Sequence, residues 1–289
     1  IFSRSENNGQ PCKRKLTKIR LRCLKMVLQR NYLHIPCGLE FFLTTRKSYL
    51  IIFPGTKIMK IVLKMLQKLK LPSLKYLQTN TFGFEEEKIT ESWLSGNLSN
   101  YQYLIYVNLF AGRSFNDLSQ YPVFPWILKD YSSKSININD PTIYRDFTKP
   151  IGAINEKKIE HILEIISEMD EENQFCHRVH YSNSYFVSYY MLRLEPYTSI
   201  NIKLQGNKFD QSTRIFQSIP QLWDNLVSID FSDSRELIPE FFTTPEFLIN
   251  SDNFDLGYSA SGEKINDVIL PPWSKNPYDF IEKHKAALE

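Results

Sequence analysis

The chain has 289 residues, 42% of them apolar and 14% aromatic, which is enough to bury a substantial core and too apolar for a disordered polypeptide. No run of about 18 or more uncharged apolar residues exists, which excludes a membrane-spanning helix. The formal net charge of +3 conceals a division: residues 1–80 carry 17 Lys/Arg against 2 Asp/Glu, and the remainder carries 18 against 30. Two electrostatically opposite units are therefore expected to join near residue 80. The first residue is Ile1 and no basic–apolar–small signal segment follows it, so both ends read as cuts in a longer polypeptide. Cys12, Cys23, Cys37 and Cys176 form no CxxC pair and have no His at metal-ligand spacing, which predicts reduced thiols and no metal site.

In the basic unit, Lys18–Val27 alternates basic with apolar residues, a period of two that predicts a strand. Leu39–Leu43 and Ser48–Phe53 are short apolar runs separated by TTRK and predict a hairpin. After Pro54–Gly55 the period changes. Ile58, Ile61, Val62, Met65, Leu66 and Leu69 recur at helical spacing, which predicts an amphipathic helix over 57–71 that packs on its own strands rather than lying on a membrane. Strands closed by a helix suggest half of a small β-sandwich or barrel. Pro72–Glu87 reads as a polar connector.

The acidic unit reads as helical. Ser99 caps a helix over Asn100–Ala111 that Gly112 ends. Lys157–Glu172 is a second helix and Asn183–Leu194 a third. Gln211–Val227 has helical spacing with Pro220 inside it, which predicts a kink or a split. Asn276 caps a last helix, with Pro277 in first position and Asp279 in third.

Between these helices lie VFPWIL, DFTKPIGAI, LIPEFFTTPEF and VILPPW, apolar and studded with proline. Proline cannot donate to a sheet ladder, so these are poor central strands, and they are too apolar for solvated loops. Extended backbone buried among helices is the reading that remains. Its N–H and C=O groups must then find side-chain partners, because a buried unpaired polar group costs roughly 1–3 kcal/mol. In AGRSFNDLSQYPVFPW (111–126), Arg113, Asn116 and Asp117 are assigned that role, with Phe115, Tyr121, Phe124 and Trp126 as apolar filling.

Six blocks in order, NLFAGRSFNDLSQYPVFPWIL (108–128), DFTKPIGAIN (146–155), HYSNSYFVSYYMLRLEPYT (180–198), KFDQSTRIFQSI (208–219), ELIPEFFTTPEFLIN (236–250) and INDVILPPWSKNP (265–277), resemble the BEACH domain. LEFFLTTRKSYLIIFP (39–54) and its helix resemble the second half of the PH-like domain that precedes BEACH in that family. The resemblance implies an α+β chain: a partial PH-like domain over 1–78 without its first strands, then a mostly helical BEACH domain over 79–289, cut short, with a core of extended irregular segments. It implies a scaffold in vesicle and membrane traffic, lysosome-related organelles or autophagy, cytoplasmic or peripheral on endomembranes, without a cofactor. Protein partners and an intramolecular PH-like/BEACH contact are expected. A groove at that junction, together with the polar core network, is assigned Asn108, Arg113, Asn116, Asp117, Trp126, Lys149, His180, Tyr181, Arg193, Glu195, Asp210 and Arg214. The sequence departs from the family pattern at Pro220, inside a helix that most relatives keep whole.

A catalytic reading of Arg113, Asp117, His180, Arg193, Glu195 and Asp210 as acid, base and oxyanion clamp lacks any supporting motif: there is no GxSxG, Walker loop, GxGxxG or HExxH. In RLEP (193–196), Arg193 or Glu195 is expected to satisfy buried backbone rather than form a docking ion pair, since a buried charge must be paired. The basic half, including Lys13, Arg14, Lys15, Lys18, Arg20 and Arg22, fits two uses equally: holding an anionic membrane surface or steering contact with the acidic unit. Nucleic acid is not expected, because aromatics do not interleave with the basic strand.

Overall fold

The computed structural model describes residues 18–289 apart from 72–73, 78–84, 86, 175–182 and 230–232. It divides into two compact units: residues up to Leu98 together with Ile105–Asp117, and Ser99–Leu104 together with Leu118–Glu289.

The first unit is built on a four-stranded sheet of order β3-β2-β1-β4, from β1 (Leu24–Tyr32), β2 (Ile35–Leu43), β3 (Ser48–Ile52) and β4 (Lys75–Leu77). The first three strands form an antiparallel meander, and β4 pairs parallel with β1. The predicted hairpin is β2–β3. The alternating segment at Lys18 becomes a strand later than expected: Leu21–Cys23 is a single 3-10 turn, and pairing starts at Leu24. The expected polar connector instead supplies β4, three residues long and thus below the length at which periodicity is legible. Helix α1 (Thr56–Lys68) lays Met59, Val62, Leu63 and Leu66 on Leu24, Val27, Leu39 and Phe41 of the sheet. Only part of the expected apolar stripe is covered. Among the described residues Ile58, Ile61, Met65 and Leu69 stay exposed. A short α2 (Ile89–Leu94) follows, and α3 (Asn100–Phe110) lies partly in each unit. The Ser99 hydroxyl accepts from Gln102 N–H while the Gln102 side chain accepts from Ser99 N–H, a reciprocal capping box.

The second unit contains α4 (Glu156–Ser167), α5 (Ser184–Tyr190), α6 (Tyr197–Leu204), α7 (Ile219–Val227) and α8 (Pro277–Leu288). The helix predicted over 211–227 is split: Ser212–Arg214 is a 3-10 turn, and α7 starts at Ile219 under a Ser218 cap with Pro220 in its first turn, where no donor is needed. The last helix is capped as expected, with Asp279 N–H donating to Asn276 Oδ1 at 2.9 Å. The proline-studded segments cross the core in extended form. They touch one another through isolated bridges (Phe124 with Leu237, Leu128 with Tyr144, Ser218 with Ile269) and not through ladders. Pro239–Phe242 and Pro245–Leu248 are 3-10 turns. The space between is filled by rings: Phe124, Trp126, Tyr190, Phe216, Phe241, Phe242, Phe247 and Phe280 are fully buried. Each such ring buries on the order of 150–250 Å², so the core draws its stability from aromatic burial and not from sheet hydrogen bonds.

Candidate functional site

In the first unit the sheet register sets Arg30 opposite Gly38 and Glu40 opposite Leu28. A side chain at position 38 would stand 3.1 Å from Arg30 Cβ, so glycine leaves the space that lets Arg30 sit inside. Arg30 and Glu40 are only 2% and 1% exposed. Arg30 Nε donates to Glu40 Oε2 at 2.6 Å, and its Nη1 donates to the Leu109 carbonyl at 2.8 Å. The other Glu40 oxygen accepts from the Ser114 hydroxyl at 2.5 Å and from Asn116 Nδ2 at 2.9 Å. Asn116 Nδ2 also donates to Ser48 Oγ at 2.7 Å. Burial pushes the Arg30 guanidinium below its ordinary pKa, with the Glu40 charge opposing the shift. Glu40 thus ties two strands to the segment that follows α3.

In the second unit the ties run from side chains to unladdered backbone. Glu236 accepts from Trp126 N–H at 2.9 Å through one oxygen and from Arg145 Nη1 at 3.1 Å through the other. Its own carbonyl accepts from Tyr190 OH, and Trp126 Nε1 donates to the Arg235 carbonyl. Burial raises the Glu236 pKa, an effect Arg145 opposes. Lys158 Nζ donates to the Leu226 and Asp233 carbonyls at 2.8 and 3.1 Å, and burial lowers its pKa. Arg193 donates to the Asn266 and Phe216 carbonyls, both at 2.7 Å, and burial lowers its pKa to about 10. Arg235 pairs with Asp233 and lies 4.1 Å from the Tyr189 ring centre. His284 bridges the Phe241 carbonyl and Tyr131.

The residues chosen from sequence therefore fall into separate places. Asn116 belongs to the Glu40 network in the first unit, with Asn108 and Asp117 buried and Arg113 half-buried on the same stretch. Trp126 and Arg193 lie inside the second unit. Of the RLEP pair, Arg193 binds backbone. Glu195, just before the Pro196 cap of α6, is exposed and accepts from the Ser199 hydroxyl at 2.8 Å, so of the two it is Arg193 that takes the internal role. Lys149 pairs with Glu156 at 3.1 Å, half-buried Asp210 accepts from Gln211 N–H, and Arg214 is exposed. Phe115, expected as filling, is 46% exposed. Lys18, Arg20 and Arg22 are exposed around the 3-10 turn, while Lys13, Arg14, Lys15, His180 and Tyr181 lie outside the described residues. Sequence reasoning missed Arg30, Glu40, Arg145, Lys158, Arg235 and Glu236. Only Glu40, one of two acids within the basic half, offered a signal.

The described cysteines, Cys23 and Cys37, are free thiols, and Cys12 and Cys176 lie outside the described residues. Among the described residues no group of three or more His, Cys, Asp or Glu could hold a metal. No helix among them is long and apolar enough to cross a membrane. A small recess in the second unit is lined by Tyr121, Val123, Asn183, Phe186, Tyr190 and Glu236.

A helix-backed four-stranded sheet followed by helices around extended, aromatic-packed backbone defines an α+β protein whose buried charges hold its own chain. Residues 91–289 match the Beige/BEACH domain, and residues 2–67 match the PH domain associated with it. The chain is also 39% identical over 291 residues to BEACH domain-containing protein lvsD of Dictyostelium discoideum, an alignment covering 90% of this chain and 10% of that protein. This chain belongs to the BEACH domain family, and it spans about a tenth of the length of that relative. The Glu40 network joins residues of both matches: Arg30, Glu40 and Ser48 from the first, Leu109, Ser114 and Asn116 from the second.

Proposed function

We propose that this chain is a non-enzymatic adaptor that docks protein partners in vesicle and membrane traffic, in lysosome-related organelles or autophagy, from the cytoplasmic side. The observation that carries the reading is the direction of the charges. Arg145, Lys158, Arg193, Arg235 and Glu236 all bind groups of their own unit. A catalytic site holds polar groups poised toward a substrate. These are spent on backbone and on one another, which suits a rigid recognition surface. Membership of the BEACH family supports the same role.

Recognition falls to exposed positions of the BEACH-matching part, Glu195 and Arg214 among them. The test is affinity capture with the full chain and with a Glu195→Lys/Arg214→Glu variant of equal thermal midpoint. A defined set of traffic proteins retained by the wild type and lost by the variant is expected. Identical captures, or none, would remove the reading.

A further inference from the structure

Glu240 is a carboxyl of the second unit left without a counter-charge. It lies in the 3-10 turn Pro239–Phe242, half-buried as a residue, while its Oε2 is enclosed and has no hydrogen-bond partner. In the ionised form its Oε1 accepts from the Tyr121 hydroxyl at 2.6 Å, and that hydroxyl lies 3.5 Å from the Tyr197 hydroxyl. Among the described residues the titratable groups around it are Tyr101 on α3, Tyr121, Tyr197 on α6 and, on α8, His284 bonded to the adjoining Phe241 carbonyl. None is a cation at neutral pH: burial raises the pKa of all three tyrosines and keeps the imidazole neutral. Glu236 differs, for Arg145 stands 3.1 Å from its carboxylate. An enclosed carboxylate with one bare oxygen forfeits solvation that nothing returns, whereas the neutral acid forfeits far less. Burial accordingly raises the Glu240 pKa, against the Tyr121 hydrogen bond.

We propose that Glu240 holds a proton in the folded chain at neutral pH and works as a proton latch. Neutral, it joins the Tyr121 segment, the Pro239–Phe242 turn and α6; ionised, it leaves the cluster for solvent and frees the Tyr121 segment. The proton sits on Oε1 and is donated to the Tyr121 oxygen, which turns its own hydrogen toward Tyr197. Oε2 is then a carbonyl oxygen, a neutral atom to leave unpaired in place of a charged one. The unfolded chain releases this proton near the ordinary value of 4.5, and the folded chain keeps it to higher pH. The contribution to stability is therefore whole below the unfolded value and is lost as pH rises through the folded one, opposite in sense to a buried neutral histidine. Tyr121 is also a wall of the recess beside Glu236, so opening the latch reshapes that recess. The inference is independent of the adaptor reading, which concerns partners and not titration.

The test is an infrared difference spectrum of the full chain against its Glu240→Gln variant, taken from about pH 5 to about pH 9. A carboxylic-acid carbonyl stretch present in the wild type near neutrality and absent from the variant is expected. Tyr121→Phe should keep that band and move its disappearance to higher pH, because the tyrosine hydroxyl favours the ionised form. Amide hydrogen exchange of residues 118–126, corrected for the intrinsic rate, should accelerate over the pH range in which the band disappears and stay level in Glu240→Gln. The denaturant midpoint of Glu240→Gln should gain on that of the wild type as pH rises, since glutamine has no proton to lose. No band difference near neutrality, or a variant that trails the wild type by one fixed interval at every pH, would overturn the protonated carboxyl. Exchange that ignores the loss of the band would overturn the latch.

Discussion

Replacing His284 by Gln should remove most of one step in the acid sensitivity of the BEACH-matching unit. The imidazole is fully buried. It lies between the rings of Phe242 and Phe280, at 4.6 and 5.0 Å between centres and within 15° and 23° of parallel. A carbonyl only accepts, so the 3.1 Å contact to Phe241 O requires a proton on Nδ1. Nε2 is then the bare acceptor of the Tyr131 hydroxyl at 3.2 Å. The neutral ring is fully satisfied, and a charged one would sit among aromatic faces without a carboxylate. Burial accordingly lowers the pKa from 6.5 to about 4, the Phe241 hydrogen bond opposing it. The unfolded chain takes up a proton near pH 6.5 that the folded chain refuses until about pH 4. Stability is therefore complete above pH 6.5 and is lost as pH falls between those values, by roughly 3 kcal/mol at 1.36 kcal/mol per unit. Chemical denaturation of wild type and His284→Gln at neutral pH and near pH 4.5 checks this. Gln can donate and accept without charging, so the difference in unfolding free energy between the two proteins should shrink by roughly 2–3 kcal/mol on acidification. Half-buried Glu236 and Glu240, whose raised pKa values act in the opposite sense, are common to both and cancel. Parallel pH profiles would refute the neutral buried imidazole.

Two further outcomes concern buried charge. Glu40→Gln leaves the Arg30 guanidinium without its counter-charge and should destabilise the first unit by roughly 3–5 kcal/mol, whereas Arg30→Met/Glu40→Leu should lose much less. Thermal melts of the single and double variants decide it, and a Glu40→Gln protein as stable as wild type would contradict the network. Arg193→Met should cost about 2–4 kcal/mol by stranding the Asn266 and Phe216 carbonyls, read as a lower denaturant midpoint. An unchanged midpoint would mean that these carbonyls are satisfied some other way.

Features set by adjacent residues were legible. The Asn276–Pro277–Asp279 start of α8, the Ser99 cap and the β2–β3 hairpin each depend on a few neighbours with definite stereochemistry. The proline segments were legible in kind, because proline and apolarity together leave little but buried extended backbone. Their partners were not. The 111–126 reading gave Asn116 to the irregular core, but its amide is spent on Glu40 and Ser48 of the sheet. The core is held instead by Arg193, which the RLEP motif offered, and by Lys158, Glu236 and His284, which no local pattern singles out. Arg30 and Glu40 meet because a two-residue turn at Leu33–His34, both at positive φ, and a register shift between Arg30 and Tyr32 together set the strand pairing. The stripe on α1 was visible as periodicity, yet periodicity reports apolar surface and not which residues of it meet the sheet.

What distinguishes the second unit is that its extended backbone is held by isolated bridges and side-chain ties in place of ladders. In a ladder the loss of one hydrogen bond leaves neighbours that keep the strand in place. Here Glu236 alone holds Trp126 N–H with one oxygen and Arg145 with the other, while its main chain receives Tyr190. The same segment is also tied by the Phe124–Leu237 bridge and by Trp126 Nε1 on the Arg235 carbonyl, and its ring contacts Tyr131, Trp223 and Phe241. Stability and shape therefore rest on the same few groups. Such a core resists gradual deformation, since each tie is either made or broken, and it keeps polar groups away from reactive exposure. A platform whose loops must keep fixed positions for recognition is served by that construction.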